Sequence, residues 1–190
     1  MRIITGKAKG IILKAPKGDT TRPTAERVKE AVFSMLQFDI EGRTVLDLFA
    51  GSGQMGLEAL SRGATSATFI DKSKDAIKLI KENLEKTKLI NNGSVYQGDY
   101  LDFIKRNIGQ TYDIIIIDPP YAQKMYNPAL RALLNANMLK STTLIVCESG
   151  TDEIFNGDTE LQLNFEVAKQ NKYGNTYITI LKLRCENIYE

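Results

Sequence analysis

The sequence contains no histidine. That absence excludes a Ser-His-Asp or Cys-His dyad, a histidine-ligated metal and an imidazole proton shuttle. Cysteine is scarce: Cys147 and Cys185 stand 38 residues apart, without CxxC spacing, each in an apolar, strand-like context. Two buried thiols are expected, rather than a disulfide or a nucleophile. Long hydrophobic runs are also missing. The longest aliphatic stretch is Ile114 to Ile117, far short of the roughly 20 apolar residues of a membrane span. Charges at Arg2, Lys7 and Lys9 leave no apolar core for a signal peptide. There is no internal repeat and no low-complexity segment. A soluble cytoplasmic protein is expected, with its chemistry carried by carboxylates, backbone groups, amides, tyrosines or a bound cofactor.

What is present is a chain of 190 residues, 43% hydrophobic and 25% charged, ordinary values for one globular unit with a sizeable core. The net charge of +2 is unevenly spread. Residues 1–30 carry eight Lys or Arg (Arg2, Lys7, Lys9, Lys14, Lys17, Arg22, Arg27, Lys29) against three acids, which makes +5 and leaves −3 for the rest. Such an arm suits a polyanion, and it equally suits a solvated edge hairpin whose lysines deter aggregation. Residues 1–23 read as a basic β extension and 24–190 as the body of a single domain.

Ala25, Val28, Ala31, Val32, Met35 and Leu36 repeat at helical spacing and predict a helix over Thr24–Phe38. Short apolar runs then alternate with helical stretches. Strands are expected at Thr44–Phe49, Ala67–Asp71, Ser94–Asp99, Tyr112–Asp118 and Thr142–Glu148, with helices at Gln54–Ser61 and, capped by Ser73, at Lys74–Lys88. The unbroken aliphatic run at 114–117 calls for burial on both faces, as parallel sheets require. The tail, Leu161–Lys169 and Thr176–Leu183 around Tyr173-Gly174-Asn175, reads as an antiparallel hairpin. The expected fold is α/β, a doubly wound, mostly parallel sheet closed by that hairpin.

The first strand runs into Asp47-Leu-Phe-Ala-Gly51-Ser-Gly53-Gln-Met-Gly56, and Asp71 ends the second strand 20 residues past Gly51. Glycines at 51, 53 and 56 satisfy GxGxxG, and the later acid can accept from both hydroxyls of a ribose. A nucleoside-bearing cofactor is indicated. A dinucleotide would place a pyrophosphate over this turn, close to the Asp47 carboxylate, where like charges repel. S-adenosylmethionine (SAM) brings a sulfonium and an ammonium instead, and Asp47 suits those cations.

The most informative stretch is Tyr112-Asp-Ile-Ile-Ile-Ile-Asp118-Pro119-Pro120-Tyr121. Two prolines end the strand and stiffen the backbone where a doubly wound sheet borders its ligand crevice. An exocyclic nucleobase amine is a poor nucleophile because its lone pair is conjugated with the ring. Two fixed acceptors, the Asp118 carboxylate and the Pro119 carbonyl, would turn that lone pair toward a methyl group and stabilise the charge the nitrogen gains. Tyr121 offers a face on which an unstacked base can lie.

These residues resemble the amino-methyltransferases of the class I SAM fold. The whole chain, from Met1-Arg-Ile-Ile-Thr-Gly-Lys through Arg22-Pro-Thr-Ala-Glu-Arg27 and Leu57-Glu-Ala-Leu-Ser-Arg-Gly-Ala64 to Tyr173-Gly174, resembles the bacterial RsmD-type enzymes. That family methylates guanine N2 in 16S ribosomal RNA. Asp71 departs from the glutamate expected there. The resemblance implies SAM contacts from Phe49, Ala50, Gly51, Ser52 and Gly53, with Asp47 near the methionine end and Asp71 with Lys72 at the ribose. It implies Gly98 and Asp99 at the adenine, and Arg22 and Thr24 at the methionine carboxylate. Asp99 could instead cap the following helix, and Arg22 could meet a phosphate. Arg2, Lys7, Lys9, Lys14, Lys17 and Arg27 are then expected to hold RNA phosphates. The partner is 16S rRNA or a small-subunit assembly intermediate, and the enzyme a monomer with no metal. Three rivals remain. One is a DNA amino-methyltransferase acting on adenine N6 or cytosine N4, although this chain has only the short arm for reading a target. The others are a dinucleotide oxidoreductase and a non-catalytic RNA-binding module.

Overall fold

The computed structural model describes residues 1–16, 23–120 and 122–184, without the side chains of residues 23–25 and 122–124. Lys17, Arg22, Tyr121 and Cys185 lie outside the described residues. After α1 (Pro23–Met35) the chain alternates β1 (Thr44–Asp47), α2 (Gln54–Ser61), β2 (Ser66–Asp71), α3 (Lys74–Thr87), β3 (Gly93–Gln97), α4 (Tyr100–Arg106), β4 (Tyr112–Ile117), α5 (Ala122–Asn135) and β5 (Leu139–Ser149). It closes with α6 (Thr159–Leu163), β6 (Phe165–Tyr173) and β7 (Thr176–Leu183). The seven strands form one sheet, ordered β3-β2-β1-β4-β5-β7-β6. β1 to β5 pair in parallel, and β7 runs antiparallel to both its neighbours. The strand order reverses between β1 and β4, which opens a crevice at their carboxyl ends.

Alternate residues of each central strand feed two cores. Val45, Ile114 and Ile116 face the layer of α1, α2 and α3, whereas Leu46, Ile115 and Ile117 face α4, α5 and α6. The four isoleucines of β4 are at most 2% exposed, as a strand covered on both faces demands. Ser73 caps α3 as its sequence position suggested, accepting from Ala76 N.

Several boundaries differ from the sequence expectation. The strands expected to reach Phe49, Asp99 and Asp118 stop at Asp47, Gln97 and Ile117, because the chain leaves the ladder there to form the crevice. Pro119 cannot donate to a ladder, and Gly51 adopts φ +55. α1 ends at Met35, three residues early, in a turn where Asp39 N donates to Leu36 O. Leu161–Lys169 is not one strand. Its first residues form α6, capped by Asp158, whose side chain accepts from Leu161 N and is gripped by Arg131 of α5 at 2.8 Å. The pinned cap sits 27 residues from Arg131, and local alternation cannot reveal it.

The amino-terminal arm is less regular than a β extension. Among its described residues the β structure is a single antiparallel bridge, Arg2 to Ile12. The arm is held instead by α2. The Glu58 carboxylate, fully buried, accepts from the backbone amides of Ile4 (2.8 Å) and Thr5 (3.0 Å) and faces Lys29 Nζ and Arg62 Nε. Lys29 donates onward to the Arg2 carbonyl. Ile3, Ala8 and Leu13 join the core of the α1–α3 layer.

Candidate active site

The turn after β1 is built by two left-handed glycines, Gly51 (φ +55) and Gly53 (φ +79), and Gly53 caps α2. Asp71, at the end of β2, buttresses it: one carboxylate oxygen accepts from Gly51 N at 2.9 Å and the other from Ser73 N at 2.8 Å. Gly56 lets α2 lie close on β2, since a Cβ there would meet the Phe69 ring at 2.3 Å.

The carboxyl ends of β1 to β4 surround a cavity of about 460 Å³. Phe49, Gly51, Asp71, Lys72, Gly98, Asp99, Asp118, Pro119 and Pro120 line it, so nine of the residues expected to act together do share one space. Leu48, Tyr100 and Met125 complete the walls and were not foreseen. Phe49 and Tyr100 pack on each other with ring centroids 4.9 Å apart and give the cavity an apolar, aromatic wall. Tyr100 follows Asp99 directly and was within reach of sequence reasoning; Met125 carried no signal. Asp99 does cap α4, accepting from Leu101 N at 2.8 Å. The capping role and the place on the cavity wall are both realised.

A smaller cavity of about 190 Å³ joins Asp47, Ala50, Ser52, Met1 and Asp118 on the other side of the loop. Asp47 is 2% exposed and accepts a 3.3 Å bond from Gly56 N. Burial lifts its carboxyl to about 7, and the nearby charges of Asp118 and Asp71 add to the rise. Asp118 opens to the cleft, yet the surrounding walls hold off bulk water and raise its carboxyl as well. Two acids so raised against a cavity favour a cationic ligand and oppose a pyrophosphate. With carboxylates at the end of β2 and just past β3, an aromatic wall of Phe49 and Tyr100, and the acids Asp47 and Asp118 in the adjoining cavity, these residues fit SAM. A larger cavity, about 870 Å³, opens between Lys14 and α3 and touches the site only at Gly51. It lacks Asp118 and Pro119 and does not carry the chemistry.

The arm residues are dispersed. Lys7, Lys9 and Arg27 are exposed. Arg2 lies 3.6 Å from Glu26 while 63% exposed, and Lys14 pairs with Glu82 at 2.8 Å. Lys29, counted with the basic arm, is 1% exposed and belongs to the core; burial lowers its ammonium against the pull of Glu58. Thr24 lies in the first turn of α1. Sequence reasoning also missed Asn83, a fully buried side chain of α3. It exchanges bonds with Lys14 N and O and donates to Ser52 O, tying the arm to the glycine turn.

Cys147 is buried, as expected. Among the described residues no three acids or cysteines are grouped to hold a metal, and no helix is long and apolar enough to cross a membrane.

A parallel sheet whose penultimate strand in space alone runs backwards, with its cleft beside the glycine turn, is the architecture of the class I SAM-dependent methyltransferases. The Escherichia coli protein yhhF superposes on this chain with a TM-score of 0.83 at 28% identity, covering 98% of this chain and 99% of that one. A family model described as "Conserved hypothetical protein 95" matches residues 1–182. YlbH of Bacillus subtilis is 36% identical over 97% of this chain and all of its own length. Ribosomal RNA small subunit methyltransferase D of Haemophilus influenzae is 36% identical over 80% of each chain. The chain belongs to this family, the RsmD-type methyltransferases.

Proposed function

We propose that this protein transfers a methyl group from SAM to the exocyclic N2 amine of a guanine in 16S ribosomal RNA. The observation that carries the reading is Asp118-Pro119 just past the end of β4, on the wall of a cavity whose other walls suit a nucleoside, with Asp118 also lining the adjoining smaller cavity that holds the buried acid Asp47. The similarity to ribosomal RNA small subunit methyltransferase D supports the substrate. Bound SAM supplies an electrophilic methyl on a cationic sulfur. The protein's share is binding and orientation. Asp71 and Lys72 would meet the ribose, Gly98 and Asp99 the adenine, and Asp47 the positive charge of the methionine end. Arg22 and Thr24 would lie at its carboxylate.

The Asp118 carboxylate and the Pro119 carbonyl accept the two N–H groups of the target amine. They draw its lone pair out of conjugation and stabilise the charge it gains, an electrostatic contribution of a few kcal/mol in a fixed site. Pro119 and Pro120 lock that carbonyl in place, and alignment of amine and methyl supplies the remainder. Tyr121 would stack the guanine once it leaves its own stack. Lys7, Lys9 and Arg27, with Arg2, Lys14 and Lys17, would hold the RNA backbone. We take the enzyme to act as one unit, a cytoplasmic monomer, on rRNA or an assembly intermediate.

The test is transfer of labelled methyl from SAM to small ribosomal subunits taken from a strain lacking the enzyme, beside protein-free 16S rRNA and duplex DNA. Label is expected in one guanine as N2-methylguanine, and Asp118→Ala should reduce it by about a hundredfold or more while SAM still binds. Label in DNA alone would replace the reading with a DNA amino-methyltransferase.

A further inference from the structure

β4 and β5 run parallel with Ile117 opposite Cys147. The next residues, Asp118 just past the end of β4 and Glu148 still within β5, are therefore neighbours at the carboxyl edge of the sheet. Glu148 is half-buried. Its place is fixed by two further elements: it pairs with Ile178 of β7, and its carbonyl accepts the hydroxyl of Tyr126 on α5. Tyr126 is 1% exposed and feels the charges of both Asp118 and Glu148. Among the described residues, the neighbours Cys147 and Tyr126 are kept protonated by burial, and Ile178 brings no charge. Burial raises the Glu148 carboxyl, and the Asp118 charge raises it further. Two carboxylates so placed, one half-buried and the other on the cleft wall, titrate as a pair, the second proton leaving well above the ordinary carboxylate range.

We propose that Glu148 is a positioning residue for methyl transfer, forming with Asp118 a carboxylate pair that takes up the proton released by the target amine. The inference rests on the reaction proposed above. Once bonded to the methyl carbon, the nitrogen carries four bonds and a positive charge. One N–H bond then breaks, its electron pair stays on nitrogen, and the proton passes to an Asp118 oxygen, where a neutral carboxyl replaces a carboxylate. The charge of Glu148 makes Asp118 a stronger base than an isolated aspartate, and the received proton is then shared between the two side chains. The doubly ionised pair is the competent acceptor.

The experiment is single-turnover methylation of protein-free 16S rRNA by the full chain from about pH 6 to about pH 9, with SAM affinity and thermal unfolding measured in parallel. In the wild type the rate climbs with pH through the upper titration of the pair. In Glu148→Gln the amide carries no charge, so the titration of Asp118 falls back and the rate becomes flat above neutrality, slower by about tenfold at alkaline pH. SAM affinity stays close to wild type, and Glu148→Gln unfolds no more readily than wild type, because the amide removes a charge that burial disfavours. Glu148→Asp restores part of the slope. A Glu148→Gln profile that retains the wild-type slope overturns the proposal, whether the rate is unchanged or uniformly reduced. A wild type that methylates no guanine N2 defeats the underlying reaction instead, an outcome that no Glu148 variant can mimic.

Discussion

Asp47 is the residue where stability and function conflict. Its carboxyl is ordinary in the unfolded chain and raised to about 7 in the fold, mainly by burial. Folding therefore favours its protonated form. The stability it contributes is complete below about pH 4 and is lost as pH rises through 7, because the unfolded chain ionises first. Asp47→Asn should unfold like the wild type near pH 4 and be more stable at pH 8, by up to about 4 kcal/mol. The same change should weaken SAM binding about tenfold, since the cation loses its partner. Thermal melts at the two pH values and titration with SAM test both halves; equal stability at pH 8 would show that Asp47 is not strained by burial. The sequence placed Asp47, Asp71 and Asp118 at strand ends because each directly follows an apolar run, and Asp99 after Gly98 at the end of the third strand. It could not show that Asp71 accepts from the glycine turn at Gly51 N as well as from Ser73 N, nor that Glu148 neighbours Asp118. Those facts come from strands distant in sequence.

Among the elements, the arm is the one whose attachment decides its use. Gly6 (φ +88) lies against α2 so closely that a Cβ would sit 1.8 Å from the Ser61 carbonyl oxygen, which also accepts from Lys7 N. Backbone cannot yield there, and the left-handed turn disfavours any side chain. Gly6→Ala should detach the first turn of the arm and lower RNA affinity by about tenfold through misplaced lysines, with a smaller loss of SAM affinity because the arm meets the site at Met1 and through Asn83. Fluorescence anisotropy with 16S rRNA, beside SAM titration, separates the two; undiminished RNA binding would mean the arm is not an RNA contact. The helices of the body were legible from apolar spacing, and α2 begins and ends where the sequence reading puts it. α6 was not, since Asp158 and Arg131 fix it across 27 residues.

At the scale of the whole molecule, a net charge of +2 tells little about a polyanion partner. What matters is that Lys7, Lys9 and Arg27 are exposed while Lys29 is spent inside, on Glu58. Lys9→Ala should flatten the salt dependence of RNA binding by about one in the log–log slope; an unchanged slope would remove Lys9 from the interface. The sequence by itself determined the alternation of strands and helices, the glycine turn and the rigid Asp-Pro-Pro corner. Each rests on interactions within a few residues: side-chain periodicity, positive φ at glycine, the fixed φ of proline. Only the tertiary structure decided which lysine is core and which is surface, that Asn83 joins arm to turn, and that Glu148 neighbours Asp118. Burial and charge coupling depend on what the rest of the chain packs around a group, and that is set by strand order and register across the sheet.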